Sequence, residues 1–159
     1  MKSYKPIITL SKNDRGIWDF DTTKGCKSGL LLNSKGCYSD CYSARSAKIY
    51  GYDFGKSIDR HFKNEAHRLE IVNKIKTIDM PFIRIGCSGD PSENWQHMIS
   101  IIKKLTHENQ LSLFDYRFSR HIVIITRHWN ELTEAQLHQI SEFNLVFNTS
   151  VSALDPSEL

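Results

Sequence analysis

The sequence predicts an α/β protein, a partial (βα) barrel with about four parallel strands and outer helices. Short apolar runs alternate with segments of helical periodicity, which is typical of a parallel sheet built from βα units. Right-handed crossovers place the helices of such units on the outside. A full barrel of eight units takes about 250 residues, whereas this chain has 159. We therefore expect one domain, residues 1–159, that is truncated or completed by self-association or a second polypeptide.

Four short apolar runs are the predicted strands. The first is Ile7–Leu10, and the second opens at Pro81 and ends at Gly86. The third, residues 121–126, is almost continuously apolar, which suits a strand buried on both faces. The fourth covers residues 145–151.

Helical periodicity predicts four helices between and around these strands. They cover residues 42–50 (ending at Gly51), 56–78, 93–108 and 132–143, and a further helix begins near Asp155. We expect Thr133 to cap the fourth helix. Basic and acidic residues are interleaved between Lys56 and Lys76, which indicates a solvated face. The buried face of the third helix is predicted to carry Trp95, Met98, Ile102 and Leu105.

Composition restricts the class of protein. No apolar run approaches the roughly 20 residues that a membrane helix needs, and the N-terminus does not have the pattern of a signal peptide. We expect a cytoplasmic protein without membrane contact. The net charge of +3 is mild, and no basic–aromatic pattern in the sequence predicts a nucleic acid partner. Four cysteines in a reducing compartment indicate metal or redox chemistry more than disulfides.

Three of these cysteines, Cys26, Cys37 and Cys41, fall in a polar segment that we call the cysteine loop, about residues 16–55. Loops of this length in a compact domain are usually functional. Thiolates bind soft metals, and three of them leave one metal position open. An iron–sulfur cluster is the preferred interpretation. Zinc is the alternative and would want a fourth ligand, for which Cys87 or a nearby histidine is available. Cys87 is otherwise a small buried hydrophobic residue.

Two stretches resemble a family of small phage-encoded proteins related to the radical S-adenosylmethionine (radical SAM) enzymes. The first runs from Gly16-Ile-Trp-Asp-Phe20 through Gly25-Cys26 to Cys37-x3-Cys41-Tyr-Ser-Ala. The second is Ile83-Arg-Ile-Gly-Cys-Ser-Gly-Asp90. The resemblance implies a partial barrel, a [4Fe–4S] cluster on Cys26, Cys37 and Cys41, and SAM on the open iron. Reductive cleavage of SAM would then produce a radical that acts on an unknown substrate. The ligand spacing here is C-x10-C-x3-C, whereas the general radical SAM spacing is C-x3-C-x2-C.

The resemblance also implies a cofactor contact after the second predicted strand. There the turn of Ser88, Gly89 and Asp90 would meet the amino group of SAM. The alternative is a tight turn in which Asp90 caps the next helix.

Polar residues near the ends of the last two predicted strands are further candidates for cofactor binding. Arg127 suits a carboxylate such as that of SAM, or is a surface arginine near a helix start. Asn148, Ser150 and Ser152 alternate, so they share one face of a strand. That face either lines a pocket or belongs to an edge strand facing water.

A second class of function remains open on the same residues. Zinc or a fully ligated cluster would hold an irregular loop in place. The protein would then be a non-enzymatic, metal-stabilised binding or adaptor protein of phage origin.

Overall fold

The computed structural model describes residues 2–28, 41–106 and 121–149. These ranges form a mixed α/β fold. The helices are α1 Tyr42–Tyr50, α2 Glu65–Thr77, α3 Trp95–Thr106 and α4 Glu134–Ile140, with short 3₁₀ helices at Pro91–Asn94 and Trp129–Glu131. The strands are β1 Leu10–Lys12, β2 Trp18–Phe20, β3 Thr23–Lys24, β4 Ile58–Asp59, β5 Phe82–Ile85, β6 His121–Ile125 and β7 Leu145–Asn148.

Five strands form the main sheet in the order β1-β2-β5-β6-β7. Strands β2, β5, β6 and β7 run parallel, with Asp19 opposite Arg84 between β2 and β5. Strand β1 is antiparallel to β2, and β3 and β4 form a separate antiparallel pair. The predicted α/β class with a mostly parallel sheet is confirmed. Within the described ranges the sheet is open, with β1 and β7 at its edges.

The predicted first strand is wrong in position and direction. Ile7 forms only an isolated bridge to His61, and β1 begins at Leu10 and runs antiparallel to its neighbour. The first parallel strand is β2, which lies inside the predicted cysteine loop. Its Phe20 is fully buried, so this three-residue strand is stabilised by core packing. The polar composition of the surrounding sequence gives no sign of that packing.

The second predicted helix starts too early. Ile58 pairs with Lys24 between β4 and β3, and α2 begins only after Asn64, whose side chain accepts a hydrogen bond from the backbone N–H of His67. The buried face of α2 contains Ile71, Val72 and Ile75, whereas Leu69, at a core position by periodicity, is exposed.

The solvated face predicted between Lys56 and Lys76 is also incorrect at two arginines. Arg60 and Arg68 are only 5% and 6% exposed. The guanidinium of Arg60 donates to Thr9 Oγ1 at 2.9 Å. That of Arg68 bonds both oxygens of Glu65 and donates to the carbonyl of Lys104 at 2.7 Å. The carboxylate and carbonyl partners make the burial of Arg68 possible. Arg60 is satisfied only in part, because its buried Nε has no hydrogen-bond partner among the described residues.

The other helices follow the prediction closely. Helix α1 has the predicted limits and ends at Gly51, which adopts the left-handed conformation at φ 76°. Thr133 caps α4 in a reciprocal capping box with Gln136. The predicted face of α3 is buried and packs in the core with the isoleucines of β5 and β6. No helix among the described residues is long and apolar enough to cross a membrane.

Candidate functional site

A cleft of about 480 Å³ opens at the carboxyl edge of the parallel strands. Ligands of open α/β sheets bind at this edge, and the volume lies within the range of small-molecule sites. The start of α1 and the segments after β5 and β6 supply most of its walls. Its lining includes Asp19, Cys26, Cys41, Tyr42, Ser43, Arg84, Cys87, Ser88, Gly89, Asp90, Thr126 and Arg127.

Two of the three predicted metal ligands line this cleft. Cys26 is 8% exposed, and its backbone N–H donates to the carbonyl of Phe54 at 2.8 Å. Cys41 is half-buried and directly precedes α1. The third ligand, Cys37, lies outside the described residues. The described cysteines form no disulfide, and within the same ranges no three His, Cys, Asp or Glu side chains form a metal-binding group.

Glycines hold the beginning of the cysteine loop against the turn after β5. The Gly25 N–H donates to the carbonyl of Ser88 at 3.1 Å, and Gly25 pairs with Gly89 in an isolated bridge. A Cβ on Gly89 would lie 2.5 Å from the carbonyl oxygen of Thr23, so this approach requires glycine. Cys26 is thereby placed beside the Ser88–Asp90 turn.

Glu93 fixes the residues that follow Cys26. Its Oε1 accepts from the backbone N–H groups of Lys27 and Ser28 at 2.7 and 2.9 Å, and its Oε2 accepts from the Ser57 hydroxyl at 3.0 Å. Burial alone would raise the pKa of Glu93, but these hydrogen bonds outweigh it and hold the pKa below its ordinary value. The carboxylate therefore acts as a charged tether between the cysteine loop and the 3₁₀ helix after β5.

Asp21 organises the backbone of the same turn, and the sequence reasoning missed it. It is 4% exposed. Its Oδ1 accepts from the N–H groups of Gly86 and Cys87 at 3.1 and 2.8 Å, and its Oδ2 lies 3.2 Å from Lys24 Nζ. The sequence feature that could have identified Asp21 is its position directly after strand β2. Functional side chains are common at the carboxyl ends of parallel strands.

Cys87 is half-buried and hydrogen-bonded in the cleft. Its Sγ donates to Asp19 Oδ1 at 3.2 Å, and the same oxygen lies 2.7 Å from Arg84 Nη2. Burial, followed by the charge of Asp21 and the hydrogen bond to Asp19, raises the pKa of the thiol. Cys87 is therefore a protonated thiol in this arrangement, and a metal ligand would need to be a thiolate.

Asp90 performs the capping role that was one of its two predicted roles. Its Oδ1 accepts from the Ser92 N–H at 2.9 Å and from the Thr126 hydroxyl at 2.7 Å. This carboxylate joins the turn after β5 to the end of β6. Ser88, Gly89 and Asp90 all line the cleft, while a contact with SAM stays a prediction.

The remaining candidates divide between the cleft and the surface. Arg127 lines the cleft, which is the position that its predicted carboxylate-binding role requires. Asn148 is exposed at the end of β7 and is not among the residues that line the cleft. Ser150 and Ser152 lie outside the described residues.

Comparisons with protein-family models, with curated proteins and with solved structures found no match.

Proposed function

We propose that the cleft is the metal and cofactor site of an iron–sulfur protein of radical SAM type. Cys26, Cys37 and Cys41 would hold a [4Fe–4S] cluster, and SAM would be cleaved reductively to act on a substrate that is not identified. The observation that carries this proposal is the shared position of Cys26 and Cys41. They line one cleft at the carboxyl edge of a parallel sheet, together with the Ser88–Asp90 turn and Arg127.

The donor set fits a thiolate-bound cluster. Cysteine sulfur is the soft ligand that such clusters require, and Cys26 and Cys41 both face the cleft. Cys87 Sγ donates a hydrogen bond to Asp19 Oδ1. Cys87 is therefore held as a thiol by the protein and is not proposed as a fourth thiolate ligand. Three loop thiols with one open metal position therefore describe the site better than a closed four-cysteine zinc site.

The chain's own residues would then bind and orient the cofactor. A cluster of this kind, with SAM bound, supplies the electron for reductive cleavage of SAM. The Arg127 guanidinium would receive the carboxylate of SAM in a charge-assisted hydrogen bond. Glu93 and Gly25 would keep the start of the cysteine loop against the turn after β5, because both are bonded across that boundary.

The four parallel strands would form part of a barrel in this proposal. The position of the cleft at their carboxyl edge supports it, since barrel enzymes place their chemistry at that face. A second copy of the chain or another polypeptide would complete the barrel. Light scattering coupled to size exclusion would test this, and a monomer in both metal-bound and metal-free forms would contradict it.

Release of methionine from SAM tests the proposed activity. The protein is purified without oxygen and reconstituted with iron and sulfide, and SAM is added with and without dithionite. We expect methionine only when iron, sulfide and dithionite are all present. The variant Arg127→Ala should raise the SAM concentration needed for half-maximal release, whereas Lys104→Ala, at an exposed position on α3, should not. A protein that takes up zinc and releases no methionine would contradict the proposal and favour the metal-stabilised binding protein.

A further inference from the structure

The cleft contains an ion pair to which the proposed cluster and SAM contacts assign no role. Arg84 of β5 lies opposite Asp19 of β2 in the sheet. Its Nε donates to Asp19 Oδ1 at 2.8 Å, and its Nη2 lies 2.7 Å from the same oxygen. Both side chains line the cleft, with 24% of Arg84 and 15% of Asp19 exposed. Ion pairs of this kind contribute little to stability, so the fold alone does not explain a salt bridge in a cleft.

Each member of the pair keeps one atom available for a ligand. The Asp19 carboxylate receives all of its contacts at Oδ1, from the two nitrogens of Arg84 and from the Cys87 thiol at 3.2 Å. Within the described residues, neither Asp19 Oδ2 nor Arg84 Nη1 has a hydrogen-bond partner. A negatively charged acceptor and a positively charged donor therefore lie side by side in the cleft.

The neighbouring carboxylates have other partners. Asp21, which also lies near the guanidinium, accepts from two backbone N–H groups and pairs with Lys24 at 3.2 Å. Asp90 accepts from the Thr126 hydroxyl and from the Ser92 N–H. Neither carboxylate is bonded to the ion pair, so a ligand that reaches the pair meets no competing hydrogen bond from them.

The sheet surface beside the pair is apolar. Val123 of β6 lies opposite Arg84 in the sheet, and Ile125 lies two residues further along the same strand, hence on the same face. Both are half-buried, and Ile125 lines the cleft. Apolar surroundings strengthen the hydrogen bonds that a charged pair makes, and they also offer a contact for a hydrocarbon side chain.

We propose that the pair of Asp19 and Arg84 binds the amino and carboxylate groups of an α-amino acid, which is the second ligand of the cleft. The carboxylate accepts from Arg84 Nη1, the ammonium donates to Asp19 Oδ2, and the side chain contacts Ile125. The pair carries no net charge, so a zwitterion complements both members, whereas a simple anion or a simple cation leaves one of them without a partner. Naming this amino acid as the substrate rests on the proposed radical SAM function, but its binding does not.

SAM has an amino acid end as well, and a separate group of residues is proposed for it. The Arg127 N–H donates to Asp90 Oδ2 at 3.4 Å, so Arg127 and the Ser88–Asp90 turn form one hydrogen-bonded group. Asp19, Arg84 and the Cys87 thiol form another. Two groups of polar side chains in one cleft fit two ligands.

Saturation-transfer NMR tests the proposal on the full chain as purified without oxygen. The probes are alanine, propionate and ethylamine, which share a short carbon chain but differ in their charged groups. Alanine carries both groups, propionate lacks the amine, and ethylamine lacks the carboxylate. We expect alanine to bind at least about tenfold more tightly than either of the others, because each of them loses one charge-assisted hydrogen bond. This comparison uses the wild type alone and does not depend on the folding of any variant.

Substitutions then assign the binding to the pair. Arg84→Gln should weaken alanine binding at least about tenfold, and Arg84→Lys, which keeps the charge, should weaken it less. Asp19→Asn should remove the preference for alanine over propionate. Arg15→Gln, at an exposed position before β2, should bind alanine as the wild type does. Circular dichroism of each variant shows whether its fold is retained.

Three results would overturn the proposal. These are equal binding of alanine and propionate to the wild type, unchanged alanine binding in a folded Arg84→Gln, and displacement of alanine by SAM from the iron-reconstituted protein, since displacement would show that the pair holds SAM itself. Release of methionine from SAM separates this proposal from the proposed function. Alanine binding without methionine release contradicts only the proposed function, and methionine release without alanine binding contradicts only the amino acid site.

Discussion

The carboxylate of Glu93 accepts two hydrogen bonds from Ser28, one from the backbone N–H at 2.9 Å and one from the hydroxyl at 3.0 Å. Ser28 lies two residues after Cys26, and Glu93 lies in the 3₁₀ helix that follows the turn after β5. The bond pair therefore joins the cysteine loop to the segment that follows β5. The arrangement of the proposed ligands depends on this link.

Removing the Glu93 carboxylate should weaken the fold at the cleft. We expect Glu93→Ala to lower the free energy of unfolding by about 1–2 kcal/mol, because the donors of Lys27, Ser28 and Ser57 lose their half-buried, charged acceptor. Urea denaturation followed by circular dichroism measures this. Glu70→Ala, at an exposed position on α2, should change stability by less than about 0.5 kcal/mol. Equal effects of the two substitutions would show that the tether contributes nothing.

The same carboxylate should make stability depend on acid. Burial raises the pKa of Glu93, but the hydrogen bonds from Ser28, Ser57 and Lys27 outweigh it and lower the folded-state pKa. Its stabilisation is thus fully present above about pH 4.3, the unfolded value, and is lost as pH falls through the folded-state pKa. The difference in unfolding free energy between wild type and Glu93→Gln should shrink on acidification. A difference that stays constant with pH would contradict this account.

Two glycines with positive φ should respond differently to alanine. Gly86 has φ +98°, and a Cβ there would lie 2.2 Å from the carbonyl oxygen of Ile125. We expect Gly86→Ala to cost about 2–5 kcal/mol, since left-handed strain and overpacking act together. Gly51 has φ +76° with nothing within 4 Å of its would-be Cβ, so Gly51→Ala should cost only about 1–2 kcal/mol. Thermal or urea unfolding of both variants decides, and an equal loss would refute the steric explanation.

The Cys87 thiol should be slow to react. Burial, the charge of Asp21 and the hydrogen bond to Asp19 raise its pKa, and only the thiolate is alkylated rapidly. Peptide mapping after iodoacetamide treatment at about pH 8 should show alkylation at least about tenfold slower than for an unperturbed cysteine. Asp19→Asn should accelerate it, while Asp14→Asn, an exposed control, should not. Reaction of Cys87 at the unperturbed rate in the wild type would contradict the assignment.

Local signals predicted the elements that local interactions determine. Helix α1 ends at a glycine, α4 begins at a capping box, and α3 has a regular apolar face. Each of these features can be recognised from a short stretch of sequence. Strand β6 was equally legible because it is a continuous apolar run. The alternation of apolar runs with helical segments also predicted that the sheet is mostly parallel.

Elements that depend on distant partners could not be predicted in this way. Strand β2 is three residues long and is recognisable only by its pairing with β1 and β5. Arg68 can be buried because its guanidinium donates hydrogen bonds to the carbonyl of Lys104 and to the carboxylate of Glu65. In the site, the cysteines were identified from their residue type, their grouping in one polar loop and the resemblance around them, whereas the roles of Asp21 and Glu93 rest on bonds across more than sixty residues.

The metal content of protein purified without oxygen tests the central proposal most directly. Iron and acid-labile sulfide are counted per chain in the wild type, Cys41→Ser and Cys87→Ser. The proposed three-cysteine cluster predicts about four of each in the wild type and in Cys87→Ser, with loss of both in Cys41→Ser. Zinc without iron in the wild type, or loss of the metal in Cys87→Ser, would contradict it.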